Sequence, residues 1–103
     1  SGQMTQQTRV RHILIKVSEL TSDVEAKAKI DRVRERIEAG AKFEDQARVN
    51  SEDASSAKGG DLGWVSAGDL VHIRRATRPL RLFRTSSRTY FEMLREKLKW
   101  GNS

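Results

Sequence analysis

The sequence predicts one small α+β domain. Three features carry that prediction: a β-branched run over residues 7–17, a capped and periodic helix over 22–40, and a glycine-dense loop over 59–64. With 103 residues, the chain can enclose a single modest core.

The first element is read from TRVRHILIKV. Ile13, Ile15 and Val17 fall on one side of an extended chain, and Val10, His12 and Leu14 on the other. Both sides are apolar near the centre, which predicts a strand buried on both faces. Ser22 and Glu25 then have the spacing of a capping box. Ala26, Ile30, Val33 and Ile37 recur at helical intervals until Gly40 offers a stop. The charged residues between them read as a solvated face. A second, short helix is expected from Phe43 to about Val49, with Phe43 and Ala47 inward and Gln46 beside them in a place better suited to an apolar residue.

Residues 50–58 (NSEDASSAK) read as a polar loop, followed by Gly59-Gly60-Asp61-Leu62-Gly63-Trp64. Glycine at this density predicts positive φ angles or backbone passing close to a neighbour. The phosphate-loop pattern GxxxxGK[ST] is absent. Beyond Leu70 the character changes. Residues 72–88 carry His72 and six arginines among isolated apolar residues, with no clean period. Thr89 and Glu92 again have capping-box spacing, and Tyr90, Phe91, Leu94 and Leu98 predict an amphipathic helix over 89–101 that closes at Gly101. The expected division is therefore 1–6 as a cloning scar or linker ahead of an internal fragment, then 7–71, an arginine-rich 72–88, and the helix at 89–101, all in one globular unit.

Composition removes several classes of function. The absence of cysteine excludes disulfides, thiolate catalysis and Cys-based zinc sites. No apolar run is long enough to cross a bilayer, and no signal-peptide pattern is present in this sequence. The net charge of +6 is unevenly spread: residues 1–71 sum to −1 and residues 72–103 to +7. Only the last third could draw a nucleic acid or another anionic surface, through Arg74, Arg75, Arg78, Arg81, Arg84 and Arg88. No nucleic-acid motif accompanies these arginines, so that partner is not the expected one.

RVRHILIKV, the capped helix, FEDQARVNSED and SSAKGGDLGWVSAGDLV follow one another as in the parvulin-type peptidyl-prolyl cis/trans isomerase domain. Over about residues 7–71 the chain closely resembles that family, in its bacterial extracytoplasmic, SurA- and PrsA-like branch. The resemblance implies a four-stranded antiparallel sheet wrapped by helices, catalysis of rotation about X-Pro bonds with no cofactor or metal, and extended or proline-containing polypeptide as partner. It also implies a periplasmic or other extracytoplasmic location. Carried over by position, His12 and Asp53 belong to the catalytic polar cluster, Leu62 and Trp64 to the substrate-binding loop, and Leu70 to one wall of the proline pocket.

The tail departs from the family. The phenylalanine-led helix, the K-x-G-x-x-S-x-P-V turn and the final F-G-x-H-I strand are missing, and Arg74 stands where the pocket phenylalanine belongs. A cation there opposes desolvation of a pyrrolidine ring. Weak or absent isomerase activity is therefore expected, together with a frame-shifted or chimeric origin for the tail. The first strand is left with an open edge unless the tail covers it, within the chain or in a homodimer formed through the C-terminal helix.

Overall fold

The computed structural model describes residues 7–74, 79–85 and 89–93. In chain order the elements are β1 (Gln7–Lys16), α1 (Asp23–Glu38), α2 (Phe43–Asn50), a 3-10 helix (Ala54–Lys58), β2 (Asp61–Ser66), α3 (Ala67–Arg74), β3 (Pro79–Thr85) and β4 (Thr89–Met93). The four strands form one antiparallel sheet in the order β2-β1-β3-β4.

β1 is interior to the sheet and buried on both faces, with His12, Ile13, Leu14 and Ile15 consecutively out of solvent. Ile13 and Ile15 pack with Ala26, Ile30 and Val33 of α1, Phe43 and Ala47 of α2, and Leu82 of β3. Each of the larger side chains contributes about 1.5 to 3 kcal/mol by leaving water. The opposite face carries a smaller cluster of Val10, Val65 and Phe83, flanked by the half-buried Leu62 and Ile73.

The helix signals act as read. The Glu25 N–H donates to Ser22 Oγ at 3.1 Å, and the Ser22 N–H donates back to Glu25 Oε1 at 3.4 Å. Gly40, at φ 112°, turns the chain out of α1. Gln46 is half-buried for a reason the apolar pattern does not show: Asn50 Nδ2 donates to its side-chain oxygen at 3.2 Å. A second reciprocal cap, unread in the sequence, starts α3, where Asp69 N–H donates to Ser66 Oγ at 3.2 Å and Ser66 N–H to Asp69 Oδ2 at 3.4 Å.

The helix expected over 89–101 is corrected in its first part: residues Thr89–Met93 are the edge strand β4. Leu82 stands opposite Phe91 and Phe83 opposite Tyr90 in the β3–β4 ladder. The unpaired edge of β3 gives the Thr-Tyr-Phe run main-chain partners that a helix cannot use, and aromatic residues suit the pleated surface. The capping spacing of Thr89 and Glu92 is thereby overridden. The remainder of that expected helix, with Leu94, Leu98 and Trp100, lies outside the described residues, as do residues 1–6. Within the stretch that showed no period, Pro79–Thr85 pairs with β1 from Val10 to Lys16. The tail thus closes the edge of β1 that the family's missing strands would have left open.

Candidate functional site

His12 sits on the sheet face away from α1 and α2, 3% exposed. Its position follows from how β1 is paired on the β2 side. The β1–β2 ladder runs only from Gln7↔Ser66 to Arg11↔Asp61. Beyond it, the chain between α2 and β2 takes over: His12 N–H donates to the Gly60 carbonyl (2.9 Å), Leu14 N–H to Ser51 Oγ (3.1 Å) and Glu52 N–H to the Leu14 carbonyl (2.8 Å). These bonds satisfy the main chain of a buried strand. They also carry Asp53, next in sequence, to the imidazole.

Gly60 is required at the contact. It has φ 81°, and a side-chain carbon there would overlap the His12 carbonyl oxygen. The expectation that the glycine-dense loop passes close to other backbone is met at this residue. The ladder also contains a bulge: Val10 faces Gly63 and Arg11 faces Asp61, leaving Leu62 as the extra residue. Gly63, at φ 77°, permits it. The bulge turns Leu62 onto the Val10, Val65 and Phe83 cluster.

Asp53 caps the 3-10 helix, accepting from Ser55 N–H at 2.9 Å, and its Oδ2 lies 3.1 Å from His12 Nε2. The pair is close in distance without the alignment of a full hydrogen bond, and Nδ1 meets no partner among the described residues. Burial lowers the His12 pKa below 6.5; Asp53 opposes this and Arg81 adds slightly to it. Burial alone would raise the Asp53 pKa, but the Ser55 hydroxyl and N–H, followed by His12, outweigh it and bring the carboxyl down to about 2. At neutral pH the pair is therefore a neutral imidazole beside a carboxylate.

Both folded-state values are depressed, so each contributes stability above its unfolded pKa that is lost as pH falls through the folded one. Stability should first decline below pH 6.5, as His12 is forced to charge, and again between about pH 4 and 2 as Asp53 protonates. A ring-proton NMR titration of His12, paired with urea unfolding at each pH, measures both. His12→Gln is expected to remove the first decline and leave the second.

β3 supplies Phe83, which the sequence reading did not single out, and Arg81, read there only as one of the arginines that could draw an anionic surface. Phe83, fully buried, faces His12 in the ladder with its ring centroid 6.0 Å from the imidazole. Arg81, 6% exposed, faces Leu14 and donates from Nη1 to the Ile73 carbonyl of α3. The available signal was the alternation in Leu80-Arg81-Leu82-Phe83, masked because a buried arginine occupies an apolar position.

His12, Asp53 and Leu62 come to one face, and Trp64 does not. It stands opposite Arg9 in the ladder, on the helix-bearing face, and is 58% exposed. Leu70 lies in α3, with its side chain outside the described residues. Arg84 pairs with Glu44 at 3.3 Å. Of the six tail arginines, Arg81 and Arg84 are thus engaged within the fold. Among the described residues, no three His, Asp or Glu side chains are grouped to hold a metal ion, and no helix is long and apolar enough to cross a membrane.

The domain is α+β, a four-stranded antiparallel sheet that carries the buried His12 with the half-buried Asp53 3.1 Å from it. The PPIC-type PPIase domain profile matches residues 1–76, and the chain belongs to that family. It is 60% identical over 68 residues to the chaperone SurA of Chromobacterium violaceum, covering 66% of this chain and 16% of that protein. To the chaperone SurA of Methylobacillus flagellatus it is 58% identical over 65 residues, covering 63% and 15%. The chain thus spans about a sixth of the length of these curated relatives. A crystal structure of a PpiC-type peptidyl-prolyl cis-trans isomerase domain superimposes with a TM-score of 0.52 at 30% identity, covering 58% of this chain and 55% of that one. The fold expected from the resemblance is the one observed, and residues 77–103 lie outside the family match.

Proposed function

We propose that this chain is a foldase domain that binds extended, proline-containing polypeptide on the His12 face and catalyses prolyl rotation weakly. The carrying observation is the 3.1 Å approach of Asp53 to a buried His12 whose ring neighbours Phe83. The task is to reduce a barrier of about 18 to 20 kcal/mol by favouring the twisted amide over both planar forms. A neutral imidazole held beside a carboxylate offers fixed dipoles in place of water around the turning carbonyl. Leu62, turned inward by the bulge and half-buried, offers apolar surface for a proline ring, and the buried Phe83 backs it.

Weakness is inferred from what shares that face. The guanidinium of Arg81 is buried among these groups, and the other histidine, His72, is exposed on α3. By family resemblance the site of action is extracytoplasmic. The abrupt end of the family match at residue 76, together with the jump in charge, favours a chimeric or frame-shifted origin for the tail. Translating the other frames of the coding DNA tests the frame-shift form, which lapses if none continues the family pattern. Homodimerisation through residues 89–101, where the C-terminal helix was expected, is part of the same reading, and sedimentation across a concentration series checks it.

Exchange NMR on a short X-Pro peptide tests the function. Interconversion should run somewhat faster than the uncatalysed time of tens to hundreds of seconds. His12→Ala should lower the acceleration about tenfold or more, since preorganised polar groups are commonly worth that much. A peptide that neither interconverts faster nor shifts the amides of His12, Gly60 and Phe83 would overturn the proposal.

A further inference from the structure

On the opposite side of the sheet from His12, a groove of about 340 Å³ runs between α1 and α2. Ile15 contributes to its lining from β1, and the 80% exposed Val49 from α2. Lys29, Arg32 and Arg36 line it from α1. Their spacing of three and four residues puts all three on one helix face. They differ from the neighbouring cations, because Lys27 pairs with Asp31 and Arg34 with Glu38. Lys29, Arg32 and Arg36 form no ion pair among the described residues. Glu52, the one acid in the lining, accepts from the Lys16 N–H at 2.5 Å.

We infer that this groove is a second polypeptide subsite, which takes an extended acidic segment with an apolar residue between two carboxylates. The inference rests on the reading of the domain as a polypeptide binder. Arg32 and Arg36 are separated by about 6 Å along the helix axis. Alternate residues of an extended chain are about 6.7 Å apart and point the same way. Two carboxylates in an acid-apolar-acid segment therefore match the two guanidiniums, and the intervening side chain points across the groove to Val49. Arginine suits this role, because its planar fork meets a carboxylate with two parallel hydrogen bonds. A phosphodiester backbone fits less well, because it would leave the apolar lining of Ile15 and Val49 unmatched.

The test is amide NMR on the ¹⁵N-labelled full chain with two peptides, a proline-free Ac-Ser-Glu-Leu-Glu-Leu-Glu-Ser-NH2 and a neutral X-Pro peptide. The acidic peptide should shift Ile15, Arg32, Arg36 and Val49 but not His12. Its all-glutamine analogue should shift none of them. In the Arg32→Gln, Arg36→Gln double variant, whose altered positions are exposed, the acidic peptide should bind about tenfold more weakly, the size expected for two surface ion pairs. The X-Pro peptide should still perturb the His12 face of that variant.

Absence of groove shifts with the acidic peptide, or affinity unchanged in the double variant, overturns the subsite. Displacement at lower concentration by an oligothymidylate or by anionic phospholipid vesicles overturns the choice of a polypeptide. Either result with intact X-Pro binding leaves the foldase reading standing, whereas loss of X-Pro binding alone strikes that reading and spares the groove.

Discussion

Gly60→Ala is expected to destabilise the domain by about 3 kcal/mol or more, the sum of a strained backbone and an overpacked contact. Its φ of 81° disfavours any side chain, and the added carbon would meet the His12 carbonyl oxygen and the Ala47 side chain. Either the loop lifts off β1 or β1 shifts, and both separate Asp53 from His12. Gly63→Ala serves as the control. Its φ of 77° carries similar strain, but nothing lies within 4 Å of the added carbon, so a cost of only about 1 to 2 kcal/mol is expected. Urea unfolding of the two variants separates contact from conformation. Equal losses would mean that Gly60 is needed for its backbone angle alone.

Phe83→Ala should cost about 3 to 5 kcal/mol, as truncation of a fully buried aromatic residue does. Against a typical domain stability of about 5 to 15 kcal/mol, that leaves little margin. The site should respond as well. Removing the ring beside His12 admits water, weakens the burial that depresses its pKa, and moves the imidazole titration up toward 6.5. Arg84→Ala, one residue along on an exposed side chain, should change stability by no more than about 1 kcal/mol. If Phe83→Ala were equally mild, the tail would not be part of the core, and the sheet would have to be held by β1 and the helices alone.

The first half of the fold was legible because its signals are local. The alternation of Ile13 and Ile15 with His12 and Leu14, and the pairing of Ser22 with Glu25, act over a few residues and survive in the structure. The His12–Asp53 pair joins residues far apart in sequence, and only the family resemblance brought them together. Trp64 and His12 lie on opposite faces for a geometric reason. The resemblance assigned Leu62 and Trp64 to one loop; residues two apart share a face in a regular strand, but the bulge at Leu62 separates them. The tail was illegible because burial of Arg81 hides the alternation around Leu82 and Phe83. At Thr89 a capping pattern gave way to an open strand edge supplied by β3.

The pairing of β1 has a consequence for how the chain could be divided. The hydrogen bonds that bring Asp53 to His12 lie between Gln7 and Ser66, whereas β3 enters through main-chain pairing with β1 and the burial of Arg81, Leu82 and Phe83. Main-chain bonds are indifferent to sequence, and the side-chain demand is confined to the buried Arg81, Leu82 and Phe83. The slot beside β1 is filled by a strand, Pro79–Thr85, that lies outside the family match. Cutting between Arg74 and Pro79 makes the molecule a candidate for complementation in trans, with a synthetic strand restoring the fold and competing strands ranked by how well they do so.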